Sequence, residues 1–261
     1  MSGIAALVLA GSRGGAADPV AALAGVSHKA LAPVAGVAML DRVVAALAAS
    51  PGVGRIHLSG APEEAARALP GVAALLAAGR LGFLPATLSP SGSVAAALEA
   101  LGTPLLVTTA DHALLTPAMV AHVLRAVPPE ADAAAALAPA ALLRAAFPNS
   151  RRTFLRFRDG AWSGCNLFLF RSPRAAGAVR FWQRLEAERK RPLRMLWLVS
   201  PLLVLRHALG LLTLRGALDA LGRRTGARLE VVEMPEAEAA VDVDSAADLA
   251  LTEAILAARA G

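Results

Sequence analysis

The sequence predicts an α/β protein built on a mainly parallel sheet with helices around it. Short apolar runs alternate with helix-like stretches along most of the 261 residues. The first run, Ile4 to Ala10, is continuously apolar and ends at a glycine, which is typical of a central parallel strand covered on both faces. The chain length suits one large α/β domain, and no internal repeat divides it. We therefore expect a single domain over residues 1–261.

The elements follow one another in a regular order. Each predicted strand is a short apolar run, and each predicted helix is a longer stretch with spaced apolar residues, some with proline near the start. The strands are expected at 4–10, 55–60, 81–86, 104–110, 132–138, 166–170 and 228–234, and the helices at 39–49, 63–69, 93–101, 117–127 and 173–189.

Two segments break the alternation. The stretch from Thr153 to Phe170 reads as two strands joined across Asp159 and Gly160, and we expect a substrate-binding hairpin over about 149–170. Residues 189–225 pair basic clusters with an apolar middle, Met195 to Leu205, and are expected to form a helical insertion. That middle is shorter than the roughly 20 apolar residues that span a bilayer, so it is either a buried helical pair or an interfacial patch.

Composition excludes several classes of protein. The formal net charge is +6, which suits anionic partners, yet only 4% of residues are aromatic and no nucleic-acid-binding motif occurs. We therefore expect no nucleic-acid partner. The single cysteine, Cys165, excludes an internal disulfide framework and a multi-cysteine metal site. The first apolar run has no basic region before it and leads directly into the glycine loop, so we expect no signal peptide and a cytoplasmic protein.

Three aspartates stand where an α/β sheet usually binds ligands. Asp111 follows the apolar run at 104–110, at the carboxyl end of a predicted strand. It is either a Mg²⁺ ligand in phosphate chemistry or a helix-capping residue. Asp242 and Asp244 alternate along a predicted short strand and would share one face. Asp248 follows Ser245 at the spacing of a capping box, so we assign it a structural role.

Cationic residues follow the first strand. In "LVLAGSRGG" (7–15), glycines would let backbone N–H groups approach a ligand, and Arg13 favours an anionic one such as a phosphate. Lys29 follows at a spacing that lets both side chains reach one polyphosphate. The alternatives are a turn that serves only packing and a solvated surface lysine.

Taken together, "LVLAGSRGG", "HKALAPVAGVAMLDRVVAAL", "TTADHALLTP" and "VDVDSAADL" resemble the MobA-like nucleotidyltransferases. The resemblance implies a Rossmann-like, GT-A-like mixed sheet and a reaction in which an acceptor phosphate attacks the α-phosphorus of a nucleoside triphosphate. It implies that Arg13 and Lys29 hold the triphosphate and that Asp111 and Asp244 bind Mg²⁺. The nucleotide-binding residues that it implies are Leu9, Ala10, Gly11, Ser12, Gly14, Gly15, Gly92 and Ser93.

The acceptor side is predicted from polar residues before and within the hairpin. Arginine's planar fork suits a phosphate monoester, although alternate arginines also protect exposed sheet edges. The candidates are Asn149, Arg151, Arg152 and Asn166. The predicted reaction transfers a nucleotidyl group, from CTP first of all, to a phosphorylated alcohol or sugar and releases pyrophosphate. The product would serve lipid head-group or cell-envelope synthesis.

Other readings stay open. A nucleotide-sugar-dependent glycosyltransferase shares the fold, although Asp111 is followed by His112 and Ala113 rather than by the acidic pair such enzymes usually carry. A non-catalytic nucleotide-binding scaffold is the second alternative. The basic and apolar segment 189–225 is a peripheral contact with the inner membrane face, a lid or a dimer contact.

Overall fold

A computed structural model describes residues 3–12, 17–148 and 152–260. Its main feature is an eight-stranded sheet in the order β10-β7-β9-β6-β1-β4-β5, with β8 paired to β9, beside a two-stranded β2-β3 ribbon. The strands are β1 Ile4–Leu9, β2 Pro33–Val34, β3 Val37–Ala38, β4 Val53–Ser59, β5 Leu81–Leu84, β6 Leu105–Thr109, β7 Ala133–Pro139, β8 Leu155–Phe157, β9 Gly160–Phe170 and β10 Leu229–Glu233. The predicted mixed, mainly parallel α/β sheet is confirmed.

Strand direction places the site. β1 pairs in parallel with β4 on one side and with β6 on the other, and β7 and β10 are parallel to each other. β9 runs antiparallel between β6 and β7, so these two strands point the same way. The carboxyl ends of β1, β4, β5, β6 and β7 therefore meet at one edge. From β1 the strand order runs outward to β4 and β5, and the chain then crosses back to β6 on the other side of β1. Open α/β sheets bind ligands at such a reversal of strand order.

Helices cover both faces of the sheet. They are α1 Pro19–Ala24, α2 Met39–Ala48, α3 Glu63–Arg67, α4 Pro70–Ala77, α5 Pro90–Leu101, α6 Pro117–Ala126, α7 Ala140–Ala146, α8 Ala175–Ala187, α9 Pro192–Val199, α10 Pro201–Ala208, α11 Leu214–Thr225 and α12 Ala246–Ala260. Because side chains alternate along β1, Val8 packs with the apolar residues of α2 and α6, whereas Leu7 packs with those of α5 and α8. Two apolar cores thus enclose the central strands.

One capping residue and one proline explain where two helices differ from the prediction. α5 begins at Pro90 rather than at 93, because the Ser89 hydroxyl caps it by accepting the Gly92 N–H at 3.1 Å and proline suits the first helical turn. The helix expected over 63–69 ends at Arg67, and Pro70 starts α4, which the apolar pattern did not separate.

The prediction of a strand at Asp242 and Asp244 was wrong. Residues 241–244 have no regular secondary structure and pair with no strand within the described chain. One backbone bond, from the Val243 N–H to the Asp111 carbonyl at 3.1 Å, holds them beside the end of β6. Val243, which lies between the two aspartates in sequence, has a fully buried side chain. Packing of this side chain, rather than strand pairing, therefore directs the two aspartates toward the ligand edge.

The two irregular segments take ordered forms. β8 and β9 make the antiparallel hairpin expected across Asp159 and Gly160. Residues 189–225 contain α9, α10 and α11, of which α9 and α10 leave large apolar side chains exposed. In the part of the chain that the structure describes, no helix is both long enough and apolar enough to cross a membrane.

A glycine contact brings the turn after β4 against the loop after β1. Gly60 has φ +95°, and a Cβ on it would stand 2.7 Å from the Gly11 nitrogen. Gly60→Ala should therefore lower the free energy of unfolding by about 1–2 kcal/mol for the backbone conformation and by about 1–3 kcal/mol more for the collision. Urea unfolding measures both contributions together.

Gly79→Ala is the matched control, because Gly79 also has a positive φ, +67°, but a Cβ there meets nothing within 4 Å. It should show the backbone cost alone. Equal losses in the two variants would show that the loop at Gly11 moves aside freely.

Candidate active site

The site starts from a short 3-10 turn that positions Lys29. The turn spans Lys29–Leu31, and the His28 imidazole caps it by accepting the Ala30 N–H at Nδ1, 3.2 Å away. His28 is buried, and burial lowers its pKa, so the neutral ring that can accept this bond is favoured. Ala30 packs into the main core, which fixes the turn against the sheet edge.

Lys29 lies between two carboxylates from distant parts of the chain. Its Nζ donates to Asp111 Oδ2 at 2.7 Å and also to Asp244 Oδ1. Only 13% of the lysine side chain is exposed. Burial alone would lower the pKa of Lys29, but the charges and hydrogen bonds of Asp111 and Asp244 outweigh it and raise the pKa above its ordinary value. The lysine therefore carries its charge throughout the neutral pH range.

The pKa of Asp244 shifts in the opposite direction to that of Lys29. Burial would raise its pKa, but the hydrogen bond and charge of Lys29 dominate and lower it. Asp244 is consequently ionised at neutral pH. Its side chain is 65% exposed, compared with 21% for Asp111, so the outer carboxylate faces solvent and the inner one is anchored.

The donor set fits a divalent cation shared with a phosphate. Asp111 and Asp244 already converge on one positive group, and Asp111 Oδ1 is buried with no hydrogen-bond partner among the described residues. Two carboxylates and the oxygens of a bound phosphate are a usual coordination set for Mg²⁺. No group of three or more His, Cys, Asp and Glu side chains suited to a metal occurs in the described ranges.

A second ion cluster adjoins the first. Arg152 donates to Asp242 Oδ1 at 2.5 Å and to Asp248 Oδ1 at 3.2 Å, and only 8% of its side chain is exposed. Burial raises the pKa of Asp242, although the hydrogen bond from Arg152 acts against that rise. Asp248 also accepts from the Ser245 hydroxyl at 2.6 Å, so the predicted capping residue joins the ion cluster as well.

Asn166 reaches this cluster through an irregular backbone. The β7-β9 register shifts between Ala135 and Leu137, and opposite this shift Asn166 adopts φ +46°. A β-bulge re-aims a side chain, and asparagine tolerates the left-handed region better than most residues. Its Nδ2 donates to Asp242 Oδ2 at 3.3 Å. The predicted acceptor residues Arg152 and Asn166 are thus brought together around Asp242, whereas Asn149 and Arg151 lie outside the described residues.

The loop after β1 is described as far as Ser12. Leu9 and Ala10 lie at the end of β1, where the Ala10 N–H donates to the Ser59 carbonyl at 2.8 Å. Gly11 has open space on its Cβ side. Arg13, Gly14 and Gly15 lie outside the described residues. Beside this loop a cleft of about 470 Å³ opens at the ends of β4 and β5, lined by Gly60, Ala61, Pro62, Phe83 and Pro85 among others.

Gly92 and Ser93 lie at the start of α5, near this cleft. The Gly92 N–H is used by the helix cap, and a Cβ there would stand 2.5 Å from the Thr87 hydroxyl oxygen. The Ser93 hydroxyl is buried and bonds Ser59 and Thr87, each at 3.2 Å. The Ser93 hydroxyl therefore links the start of α5 to the end of β4, and contact of Gly92 and Ser93 with a nucleotide stays a prediction.

Two polar residues near the site are buried away from it. His112 bonds Thr108 Oγ1 at 3.4 Å, and burial lowers its pKa to about 4, so it stays neutral. Burial raises the pKa of Cys165 to about 12, which keeps the thiol protonated and leaves it a small core residue. Neither geometry supports a nucleophile.

The sequence matches the MobA-like NTP transferase domain over residues 6–224. The chain belongs to this family. A hypothetical transferase from Thermus thermophilus is 31% identical, with a TM-score of 0.79, over 95% of this chain and 100% of that one. None of the curated proteins matches the sequence. Family membership supports nucleotidyltransferase activity.

More distant solved structures share the fold. A CMP:2-keto-3-deoxy-manno-octonic acid synthetase complexed with CTP is 13% identical, with a TM-score of 0.57 over 99% of this chain and 100% of its own. A 4-diphosphocytidyl-2C-methyl-D-erythritol synthase from Anaerococcus prevotii is 9% identical, with a TM-score of 0.56 over 98% of this chain and 96% of its own. At these identities the likeness shows the fold.

Sequence reasoning missed several residues of this MobA-like transferase site. Asp242 was noticed only as a neighbour of Asp244, and its link to Arg152 depends on a contact across 90 positions. Gly60 carried a usable signal, because a glycine directly after a strand at the ligand edge often marks a close backbone approach. Ser59 and Thr87, whose hydroxyls bond that of the predicted residue Ser93, had no comparable pattern.

The Arg152 cluster should contribute strongly to the stability of this transferase. Arg152→Met leaves Asp242 and Asp248 partly buried without their cation, so the free energy of unfolding should fall by about 3–5 kcal/mol. Chemical denaturation at neutral pH measures the change.

Arg67→Met is the comparison, because Arg67 pairs with Glu63 on an exposed helix surface and should cost less than about 1 kcal/mol. A similar small loss in both variants would show that the Arg152 cluster does not stabilise residues 241–244.

Proposed function

We propose that this protein transfers a nucleotidyl group from a nucleoside triphosphate, with Mg²⁺, to the phosphate of a phosphorylated alcohol or sugar. The observation that carries the proposal is the contact of Lys29 with both Asp111 and Asp244 at the end of β6. This contact lies at the edge where β1 also ends. A cation and two carboxylates, at the same sheet edge as a cleft of about 470 Å³, are the groups that such a transfer needs.

The resting arrangement suggests how the site receives its substrate. Lys29 is a compact charge on a flexible stem, so it can leave the carboxylates and turn to the triphosphate oxygens, together with Arg13 of the glycine loop. Asp111 and Asp244 would then hold the divalent cation, which supplies charge neutralisation at the phosphates when bound. The nucleotide and the metal would therefore exchange partners with Lys29 in a coupled way.

The reaction needs little acid–base chemistry from the protein. An oxygen of the acceptor phosphate forms a bond to the α-phosphorus, the bond from that phosphorus to the oxygen bridging it to the β-phosphorus breaks, and pyrophosphate leaves with the electron pair. The acceptor phosphate is already an anion at neutral pH, so positioning and charge stabilisation carry the catalysis.

On the acceptor side, we assign Asn149, Arg151 and Asn166 to the acceptor phosphate. The Arg152 guanidinium is committed to Asp242 and Asp248, so its predicted contact with the acceptor would require an exchange of those ion pairs. Arg152 then acts mainly by holding Asp242 at the acceptor edge. A product of this kind, a nucleotide-activated alcohol or sugar, would serve lipid head-group or envelope synthesis.

CTP is the first nucleotide to test. Two solved structures with the same fold are named for cytidylyl chemistry, and one of them holds CTP. Calorimetry with CTP, UTP, GTP and ATP, each with and without Mg²⁺, should give selective Mg²⁺-dependent binding of one triphosphate. Lys29→Ala and Asp111→Asn should each weaken it about tenfold to a hundredfold, because each removes a charged contact.

Asp219→Asn is the matched control, since Asp219 lies on α11 and pairs with Arg215 away from the strand ends. With the selected triphosphate, pyrophosphate release should depend on one member of a panel of alcohol phosphates and sugar 1-phosphates. Binding of nucleotide sugars in place of triphosphates would instead support a glycosyltransferase function. Triphosphate binding without release across a broad panel would support a non-catalytic scaffold.

The contact of Lys29 with both carboxylates also predicts how the protein binds a metal ion in the absence of nucleotide. Lys29→Gln removes the cation that competes for Asp111 and Asp244, so Mn²⁺ should bind the nucleotide-free protein about tenfold more tightly, while triphosphate binding weakens. Titration of Mn²⁺ followed by its electron paramagnetic resonance signal measures the first effect.

Lys190→Gln is the control, because it removes the only other lysine of the sequence, and that lysine is exposed. Weaker or unchanged Mn²⁺ binding in Lys29→Gln would contradict the exchange between the lysine and the metal.

A further inference from the structure

Residues 189–211, which we call the basic hairpin, expose an unusual amount of apolar surface. The hairpin contains α9 and α10 and turns at Ser200, whose φ is +112°. Six of the ten exposed large apolar side chains in the described chain lie within 16 consecutive positions of it. They are Leu196, Trp197, Leu202, Leu205, Leu209 and Leu211. Contiguous exposed apolar surface usually marks an interaction site.

Three of these side chains lie on one face of α10 and its C-cap. Leu202, Leu205 and Leu209 follow the i, i+3, i+7 spacing that places residues on one helical face. Trp197 on α9 is 73% exposed, and α9 packs on α10. Tryptophan is favoured at the boundary between apolar chains and water, because its ring is large and apolar but carries one N–H donor.

Charge around this apolar face has one sign. Residues 189–218 contain five arginines and one lysine, and no aspartate or glutamate. Within the described ranges, Arg189, Lys190 and Arg206 are exposed and form no ion pair. Arg191 and Arg194 reach only Glu188, at 3.6 Å each. Each basic residue near an anionic membrane surface adds about 1 kcal/mol of attraction.

We propose that the basic hairpin docks this protein on an anionic lipid bilayer surface. Its apolar face would enter the interface, and its arginines and lysine would contact lipid phosphates. A second copy of the chain is a poorer occupant, because a two-fold contact through this surface would place the same uncompensated basic groups against each other. Each helix has eight residues, so docking is parallel to the surface rather than across the bilayer.

The hairpin also contacts the β8-β9 strands. The Phe157 and His207 rings meet edge to face at 5.7 Å, and the Arg158 N–H donates to the Leu212 carbonyl at 2.8 Å. Docking would thus bring the predicted acceptor side close to the membrane surface. The docking inference stands on the hairpin's surface alone and does not require the proposed transfer reaction.

Co-sedimentation with sucrose-loaded vesicles tests the proposal. The intact protein should bind vesicles of equimolar phosphatidylglycerol and phosphatidylcholine at low salt, bind pure phosphatidylcholine far less, and dissociate as salt is raised. Lys190→Gln with Arg206→Gln should weaken binding about fivefold for each charge removed. Trp197→Ser with Leu205→Ser should weaken it about tenfold or more through the lost apolar contact.

The controls are exposed residues elsewhere. Leu23→Ser on α1 removes a comparably exposed leucine, and Arg125→Gln on α6 removes an exposed arginine; neither should change vesicle binding. Unchanged thermal unfolding verifies that each variant is folded. Absence of binding at low salt, or equal losses in the controls, would overturn the proposal. A dimer in solution that Trp197→Ser with Leu205→Ser converts to monomer, with no effect on vesicles, would assign the surface to a second copy.

Discussion

The ammonium of Lys29 lies between Asp111 and Asp244, and the ligand edge of the protein is organised around this contact. The two aspartates are separated from the lysine by 82 and 215 positions. A largely buried cation is costly unless carboxylates surround it, so the contact requires the turn at Lys29, the end of β6 and the segment before α12 to meet. The hydrogen bond from the Val243 N–H to the Asp111 carbonyl links the segment before α12 to the end of β6.

The closing segment 241–244 connects two chemically different regions. Asp244 faces the lysine and the predicted triphosphate, whereas Asp242 faces Arg152 and Asn166 on the predicted acceptor side. Their pKa values move in opposite directions because Asp244 gains a strong cationic partner, while burial dominates at Asp242. Environment therefore gives two aspartates, two positions apart, distinct electrostatic roles. The bulge in β9 contributes to the acceptor side, because it turns Asn166 toward Asp242.

The β8-β9 hairpin joins the acceptor side to the outer surface. One end of it contributes Asn166, and the other contacts α10 and the start of α11 through Phe157 and Arg158. Rigid core contacts hold the strand ends, whereas α10 contributes no buried side chain. The molecule thus combines a tightly packed sheet edge with an amphipathic, basic outer face. The first suits precise positioning of phosphates, and the second suits contact with a charged surface.

Local signals in the sequence determined the strands of the main sheet, five of the helices, the placement of Asp111 at a strand end and the presence of a cationic glycine loop. These features follow from apolar periodicity, proline and glycine positions and strand direction, all of which act over short separations. The sequence also predicted Lys29, Asp111 and Asp244 as members of one site, through their resemblance to a family. Only the tertiary structure decided that Asp242 pairs with Arg152, that Gly60 must lie against Gly11, and that residues 241–244 reach the end of β6 through the Val243 N–H rather than as a strand. Such contacts join residues far apart in sequence, and their geometry depends on how the whole sheet edge packs.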